Sequence, residues 1–389
     1  MGNVNVQKCG SKHSDLFPGT NASDVKFIFS EKKLVVEAFK ADQTVDGDDS
    51  NERNIHKINF EGKNTNSFCI LCKCCINIVR NAYICKNTFR MQLLIFIILY
   101  PILWLISMLP FRVLYFFSDC TYILIYRIIG YRKKTVRENL LIALPHLSQE
   151  ERRLIEKKFF HHFVDGFFEM IKTMNISDKE LYARFKFTNL EVYQNMEKQG
   201  KSIAILCAHY SSYEWLVSMN KHISFKGFGI YKKLKNKYFD KLIRDIRSRF
   251  EADLIDTKET INVIVSNERK GIKGVYGFAM DQSPKASKAF HWAEFFGIKV
   301  PVHTGGEMIA KRMNMNVIFV KGKKIKRGYY EATFVEMVDN PKEVPNYEIT
   351  DMFLRMVEAQ ILEAPEYYLW THKRWKYAEK SEEKTEIPM

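Results

Sequence analysis

A short apolar run that ends in a histidine constrains this chain more than any other feature: Ile203-Ala-Ile-Leu-Cys-Ala-His209-Tyr-Ser-Ser-Tyr-Glu214. Residues 203–207 show no helical period, and so short a run suits a parallel strand covered on both faces. Ser211 or Ser212 then caps a helix that follows. In open α/β sheets the chemistry lies just past the carboxyl ends of the strands, where His209 stands. An imidazole titrates near neutral pH and takes a proton from a hydroxyl. A carboxylate on its other nitrogen fixes the tautomer and stabilises the imidazolium. Glu214 is the candidate partner. Five positions do not share a helix face, so the two meet only if His209 lies in the turn and Glu214 in the first helical turn.

The spacing alone is weak evidence. Three pairs in the chain share it, His56/Glu61, His146/Glu151 and His209/Glu214, and only the third follows an apolar strand. Glu151 already has a use, because Ser148-Gln-Glu-Glu151 reads as a capping box. Taken without further context, His209 reads equally well as a hydrogen-bonded histidine at a strand end.

The alternation of the chain after residue 148 gives the fold class. An amphipathic helix covers 148–174, with Ile155, Phe159, Phe160, Phe163, Phe167 and Ile171 on one face. Strands are expected at 227–231, 254–255, 274–279, 317–320 and 329–335, and helices at 236–250, 257–267, 304–313 and 350–362. Such alternation argues an α/β fold with a mostly parallel central sheet flanked by helices. The chain lacks a Gly-rich phosphate loop, a Gly-x-Ser-x-Gly elbow and a His-Glu-x-x-His pair, which argues against P-loop, α/β-hydrolase and zincin chemistry.

Three regions follow from the pattern: an extension over 1–90, a membrane anchor over 91–130 and a catalytic domain over 131–389. Residues 91–110 are interrupted only by Gln92 and Ser107, a run long enough to cross a bilayer. Residues 111–129 continue apolar but contain Arg112, Asp119 and Arg127. Together they read as a spanning helix or an interfacial hairpin, with a pair of buried core helices as the alternative. Arg132, Lys133 and Lys134 suit the anionic cytoplasmic surface. Residues 1–90 are polar, with a short strand expected at 25–29 and disorder elsewhere. Their cysteines, Cys69, Cys72, Cys74, Cys75 and Cys85, lack the second, separate CxxC that a zinc site needs. Met91 opens the apolar run directly, so 1–90 also reads as translated upstream sequence. The net charge of +15 favours acidic partners, but no nucleic-acid-binding motif is present.

Several pieces recur in one order: the apolar anchor, Arg137-Glu-Asn-Leu-Leu141, His209-x-x-x-x-Glu214 and Tyr231-x-x-x-x-Asn236, then Arg247-Ser-Arg249, Asp281-Gln282, Phe295-Phe296-Gly297 and Trp370-Thr-His-Lys-Arg-Trp-Lys376. This ordered set resembles the late acyltransferases of lipid A biosynthesis, the lauroyl/myristoyl transferase family, over about residues 91–376. The resemblance implies transfer of an acyl chain from acyl carrier protein to a hydroxyl of a lipid A precursor. The expected place is the cytoplasmic side of a bacterial inner membrane, with no cofactor, no metal and no nucleic acid. It implies His209 as general base, Glu214 as its partner, Arg247 as oxyanion support and Asp281 as a further catalytic acid. Substrate contacts are implied for Tyr231, Lys232, Asn236, Arg249, Lys373 and Arg374. The family has Tyr-Arg-Pro where this chain has Tyr231-Lys232-Lys233, and lysine does not reproduce a bidentate arginine contact. On its own, Arg247 reads more readily as a surface charge on a basic helix than as a catalytic group; Asp281 reads equally as a turn carboxylate, and Lys373 and Arg374 as a solvated basic tail. Acylation of another membrane lipid, or a basic membrane-anchored binding protein without turnover, are the competing readings.

Overall fold

The computed structural model describes residues 91–378 and, before them, the backbone of three short strands, β1 (Val25–Ser30), β2 (Lys33–Phe39) and β3 (Ile55–Phe60). These three pair as an antiparallel sheet in the order β1-β2-β3. The strand expected at 25–29 is therefore present, with two more that no clear alternation announced. The cysteine cluster at 69–85 lies outside the described residues.

The main body is a seven-stranded sheet built from β4 (Phe185–Thr188), β5 (Ile203–Cys207), β6 (Lys226–Tyr231), β7 (Asp253–Asp256), β8 (Gly274–Ala279), β11 (Asn316–Lys326) and β12 (Tyr329–Val338). Their order is β4-β12-β11-β5-β8-β6-β7. All neighbours are parallel except β11 and β12, which form an antiparallel hairpin. A second, two-stranded sheet pairs β9 (His291–Phe295) with β10 (Ile298–Val302).

Strand β5 sits at the centre, and its sequence shows why. Ala204 and Leu206 face one core cluster with Phe353, Val357 and Ile361. Ile203 and Ile205 face the other with Ile176, Leu181 and Trp215. A strand buried on both faces needs apolar side chains at every position, and this one has them. Helices surround the sheet: α3 (Lys133–Ala143), α4 (Gln149–Lys172), α5 (Asp178–Arg184), α6 (Leu190–Lys198), α7 (Lys237–Ser248), α8 (Thr260–Arg269), α9 (Gly305–Met313) and α10 (Glu348–Glu363). The Ser148/Glu151 capping box opens α4, with both reciprocal hydrogen bonds present.

Ahead of this body, α1 (Met91–Met108) is the one described helix long and apolar enough by itself to cross a membrane. Its side chains are largely exposed, Ile97, Ile98 and Leu105 among them. Phe96 stacks on Tyr238 and packs edge-on against Phe239, both at the start of α7. The buried Lys172 ammonium closes the far end of α1, donating to the carbonyls of Ser107 and Leu109 at 3.0 and 2.8 Å. A cation there satisfies carbonyls the helix leaves open and meets the negative end of its dipole.

The second apolar run is two-faced. Helix α2 (Phe111–Tyr122) continues as a π-helical stretch, Ile123–Ile129, and ends at Gly130 in the left-handed region, φ 67°. Phe116, Phe117, Ile128 and Ile129 are exposed, whereas Phe111, Leu114 and Tyr126 are buried in the cores. Polar ties add to this: Ser118 donates to Asp165, and Arg327 binds Asp119 and Asp165 together. So α2 is a packed element of the α/β body as well as an apolar surface.

Burying a side chain such as Phe111 or Leu114 contributes about 1.5–3 kcal/mol, a large share of a typical stability of about 5–15 kcal/mol. A chain beginning at Tyr131 should therefore show no cooperative thermal transition by circular dichroism. Replacing Ile97, Ile98 and Leu105 together by Asn should instead leave the transition of the full chain in place and move the protein from the membrane fraction to the soluble fraction.

Candidate active site

The register of two parallel strands builds the site. Cys207 at the end of β5 pairs with Ala279 at the end of β8. Two residues beyond each lie His209 and Asp281, so the two side chains leave the sheet side by side. His209 Nδ1 and Asp281 Oδ1 are 2.7 Å apart, and the His209 backbone N–H donates to the same oxygen at 3.1 Å. Asp281 is only 1% exposed, so the pair is held in a dry place. With Nδ1 committed to the carboxylate, Nε2 is the nitrogen left for chemistry.

The electrostatics agree with an ion pair. Burial opposes a charge on His209, but the adjacent Asp281 carboxylate outweighs it and, with a smaller push from Glu214, raises the imidazole pKa. Burial likewise disfavours the charge on Asp281, yet the His209 contacts hold it below its ordinary value. Cys207 is of another kind: burial pushes its thiol up to about 12, so it is no thiolate at neutral pH.

Glu214 does not take the imidazole nitrogen. It lies in the first turn of a 3-10 helix (Tyr213–Lys221) and binds Arg247 of α7, which donates to Oε2 at 2.6 Å. The reason is geometric. Asp281 comes from the neighbouring strand end and already occupies Nδ1, while the turn between His209 and Tyr213 passes through Ser211 at φ 55° and carries Glu214 towards α7. The expected serine cap is absent too: Ser212 is the N-cap residue but makes no side-chain capping bond.

The other residues singled out in the sequence are placed as follows. Tyr231 ends β6, with its hydroxyl 3.4 Å from Asp240. Lys232 follows it, exposed. Asn236 caps α7, accepting the N–H groups of Tyr238 and Phe239. Arg249 closes the end of α4, donating to the carbonyls of Thr173, Met174 and Ile176. Lys373 is exposed. Arg374 is no solvated tail: it is 1% exposed, donates to Ser283 Oγ and the Pro301 carbonyl, and stacks over Phe295.

Residues 364–375 form a closing segment that braces the His209 and Asp281 turns. The Leu369 N–H donates to the His209 carbonyl, and the Ser211 N–H donates to the Tyr367 carbonyl. Ser283, two residues after Asp281, donates its N–H to His372 Nε2. Asn139 holds this segment from outside through the carbonyls of Trp370 and His372, while Arg137 beside it binds Glu156 with two nitrogens. The Arg137-Glu-Asn139 segment thus supports the site at one remove.

A cleft opens beside His209. Its walls include Ser211, Tyr213 and Glu214 from the turn, Tyr367 and Leu369 from the closing segment, and Phe159, His162, Phe163, Gly166, Phe167 and Met170 from α4. The stripe that patterns α4 as amphipathic therefore faces the cleft as well as the core. Sequence reasoning missed the charged layer behind it. Asp165 and Glu169 are buried on α4, facing Lys324 and Arg327 from the far end of the β11/β12 hairpin. Their i, i+4 spacing amid an apolar face was the available signal. Asp119, His161 and Asp165 lie close enough to bind a metal ion, but Arg327 bridges both carboxylates and neutralises the cluster.

Comparison with known proteins gives a consistent picture. The family model for bacterial lipid A biosynthesis acyltransferases matches residues 86–377. The lipid A biosynthesis lauroyltransferase of Escherichia coli (strain K12) is 25% identical over 278 residues, 71% of this chain and 89% of that protein. The lipid A biosynthesis palmitoleoyltransferase of the same organism and a lipid A biosynthesis acyltransferase of Shigella flexneri are each 24% identical over the same extents.

The raised pKa of His209 has a sign that can be checked. The pair contributes stability that is complete below the ordinary histidine value near 6.5 and is lost as pH rises through the raised value. The neutral base is populated only above it. Titration of the His209 ring protons by NMR should give a midpoint above 6.5. In Asp281→Asn the burial remains without the carboxylate, so the midpoint should fall below 6.5.

Proposed function

The chain belongs to the bacterial lipid A biosynthesis acyltransferase family, and from that premise we propose that it moves an acyl chain from an acyl carrier protein thioester to a hydroxyl of a lipid A precursor. The reaction would take place at the inner membrane, with the catalytic domain on the cytoplasmic side. The observation that carries this reading is the His209–Asp281 pair at adjacent strand ends, opening on a cleft with an aromatic, apolar wall.

His209 Nε2 takes the proton of the acceptor hydroxyl as that oxygen attacks the thioester carbon. The C–O bond forms and the carbonyl electrons move onto oxygen. When the tetrahedral intermediate collapses, the C–S bond breaks, and the leaving thiolate takes the proton back from the imidazolium. Asp281 holds the Nδ1–H and stabilises the positive ring throughout. Glu214 takes part from the second rank: it holds Arg247 in an ion pair and adds its charge to the field on His209. Arg247, so held, is assigned to the developing oxyanion, where a fixed cation lowers the barrier.

The acyl chain would lie along Phe159, Phe163, Phe167 and Met170, which offer an apolar surface beside the base. A lipid A precursor sits in the bilayer with its sugar hydroxyls at headgroup depth, and α1 would keep the cleft at that depth. The net charge of +15 suits an acidic carrier protein as donor.

With purified protein in detergent, an acyl carrier protein thioester labelled in the acyl chain and a lipid A precursor, the wild type should transfer label to the glycolipid. His209→Ala should lower kcat by about 10²–10⁴-fold, the usual contribution of a general base, and keep a cooperative thermal transition at a lower Tm, because the buried Asp281 loses its partner. Near-normal turnover by folded His209→Ala would overturn the assignment.

A further inference from the structure

Resting on that reading, we propose that Ser211 is a further catalytic residue, whose hydroxyl donates a hydrogen bond to the oxygen that becomes negative when the thioester is attacked. Ser211 lies two residues beyond His209 and lines the same cleft. It is 8% exposed. Among the described residues its Oγ has no hydrogen-bond partner, although it is buried. A hydroxyl removed from water and given nothing in return is unfavourable, so such groups are scarce and call for an explanation.

The backbone of Ser211 deepens the puzzle. Its φ of 55° lies in the left-handed region, which a side chain disfavours and glycine does not. A glycine here would relieve both the strain and the unpartnered hydroxyl, yet the chain has serine. The residue is also fixed from several sides. Its N–H donates to the Tyr367 carbonyl at 2.9 Å. The His162 ring lines the same cleft and is itself held by Lys324 Nζ at 3.2 Å from Nδ1. Behind it, Gly322 of β11 leaves room for the Ser211 Cβ, since a Cβ on Gly322 would come within 3.2 Å of it. With the main chain pinned, the hydroxyl is the one hydrogen-bonding group of this residue left to turn into the cleft.

A partner that arrives only with substrate accounts for all of this. The acceptor oxygen must lie within hydrogen-bond reach of His209 Nε2, so the carbonyl carbon it attacks lies next to the same turn. A neutral donor on a pinned main chain has only to rotate about one side-chain bond to meet the charge as it develops. Arg247 is the cationic support, but Glu214 shares its charge at 2.6 Å. A second donor on the turn would complete the oxyanion site.

The test compares Ser211→Gly and Ser211→Ala with the wild type and His209→Ala in the acyl-transfer assay, alongside thermal melts. Ser211→Gly suits the positive φ, so it should fold with a Tm equal to or above that of the wild type. Both variants should lose kcat by about 10²-fold, the scale of one oxyanion donor, with KM for thioester and glycolipid within about twofold. Wild-type kcat in folded Ser211→Gly would overturn the role. A fall in kcat that tracks a fall in Tm in both variants would overturn it too, since the hydroxyl would then be structural. A wild type that transfers no acyl chain at all would sink the acyltransferase reading itself, a different result from an active wild type with an equally active Ser211→Gly.

Discussion

The site depends on the parallel pairing of β5 with β8. That ladder sets Cys207 opposite Ala279, and the equal step beyond each strand end puts an imidazole and a carboxylate at 2.7 Å. A slip of one residue would turn one side chain to the other face of the sheet and break the pair. The register is secured because β5 is apolar on both faces, each packed into a separate core. The same residues that bury the strand thereby fix the chemistry at its end.

A second constraint closes over the first. The segment from Ala364 to Trp375 reaches the His209 turn through Tyr367 and Leu369, and the Asp281 turn through His372 and Arg374. Buried Trp370 and Trp375 anchor it, with their indole N–H groups donating to the carbonyls of Pro365 and Phe295. Asn139 ties it to the element just after the apolar region. Segments far apart in sequence thus converge on the two turns that carry His209 and Asp281.

Much of this was legible in the sequence, and the rest fails for identifiable reasons. The strand at 203–207 and the strand at 274–279 stand out as short apolar runs, and His209 and Asp281 stand out at their ends. Which carboxylate reaches the imidazole did not, because strand order is not written in local pattern: β8 is the neighbour of β5 although β6 and β7 come between them in the chain. Local spacing favoured Glu214, and the left-handed turn at Ser211 sends it to Arg247 instead. Asn236, Arg249 and Arg374 stood out as polar residues in recurring segments. Their side chains cap α7, close α4 and fill the space beneath the closing segment. A polar residue that recurs with a site need not touch its ligand; holding the elements that do is enough. The apolar run at 111–129 read as part of an anchor, but one face of it completes the cores.

The account joins an apolar helix that suits a bilayer, a proton-transfer pair at the sheet's end and a cleft with an apolar wall into one activity, acylation of a membrane glycolipid. Mass spectrometry of lipid A tests that claim most directly, in cells lacking the protein and in the same cells complemented with wild type or His209→Ala. The account predicts a lipid A species heavier by one acyl chain with the wild type, and its absence in the deletion and in the His209→Ala strain. Identical lipid A in the deletion and the wild-type-complemented cells would contradict it.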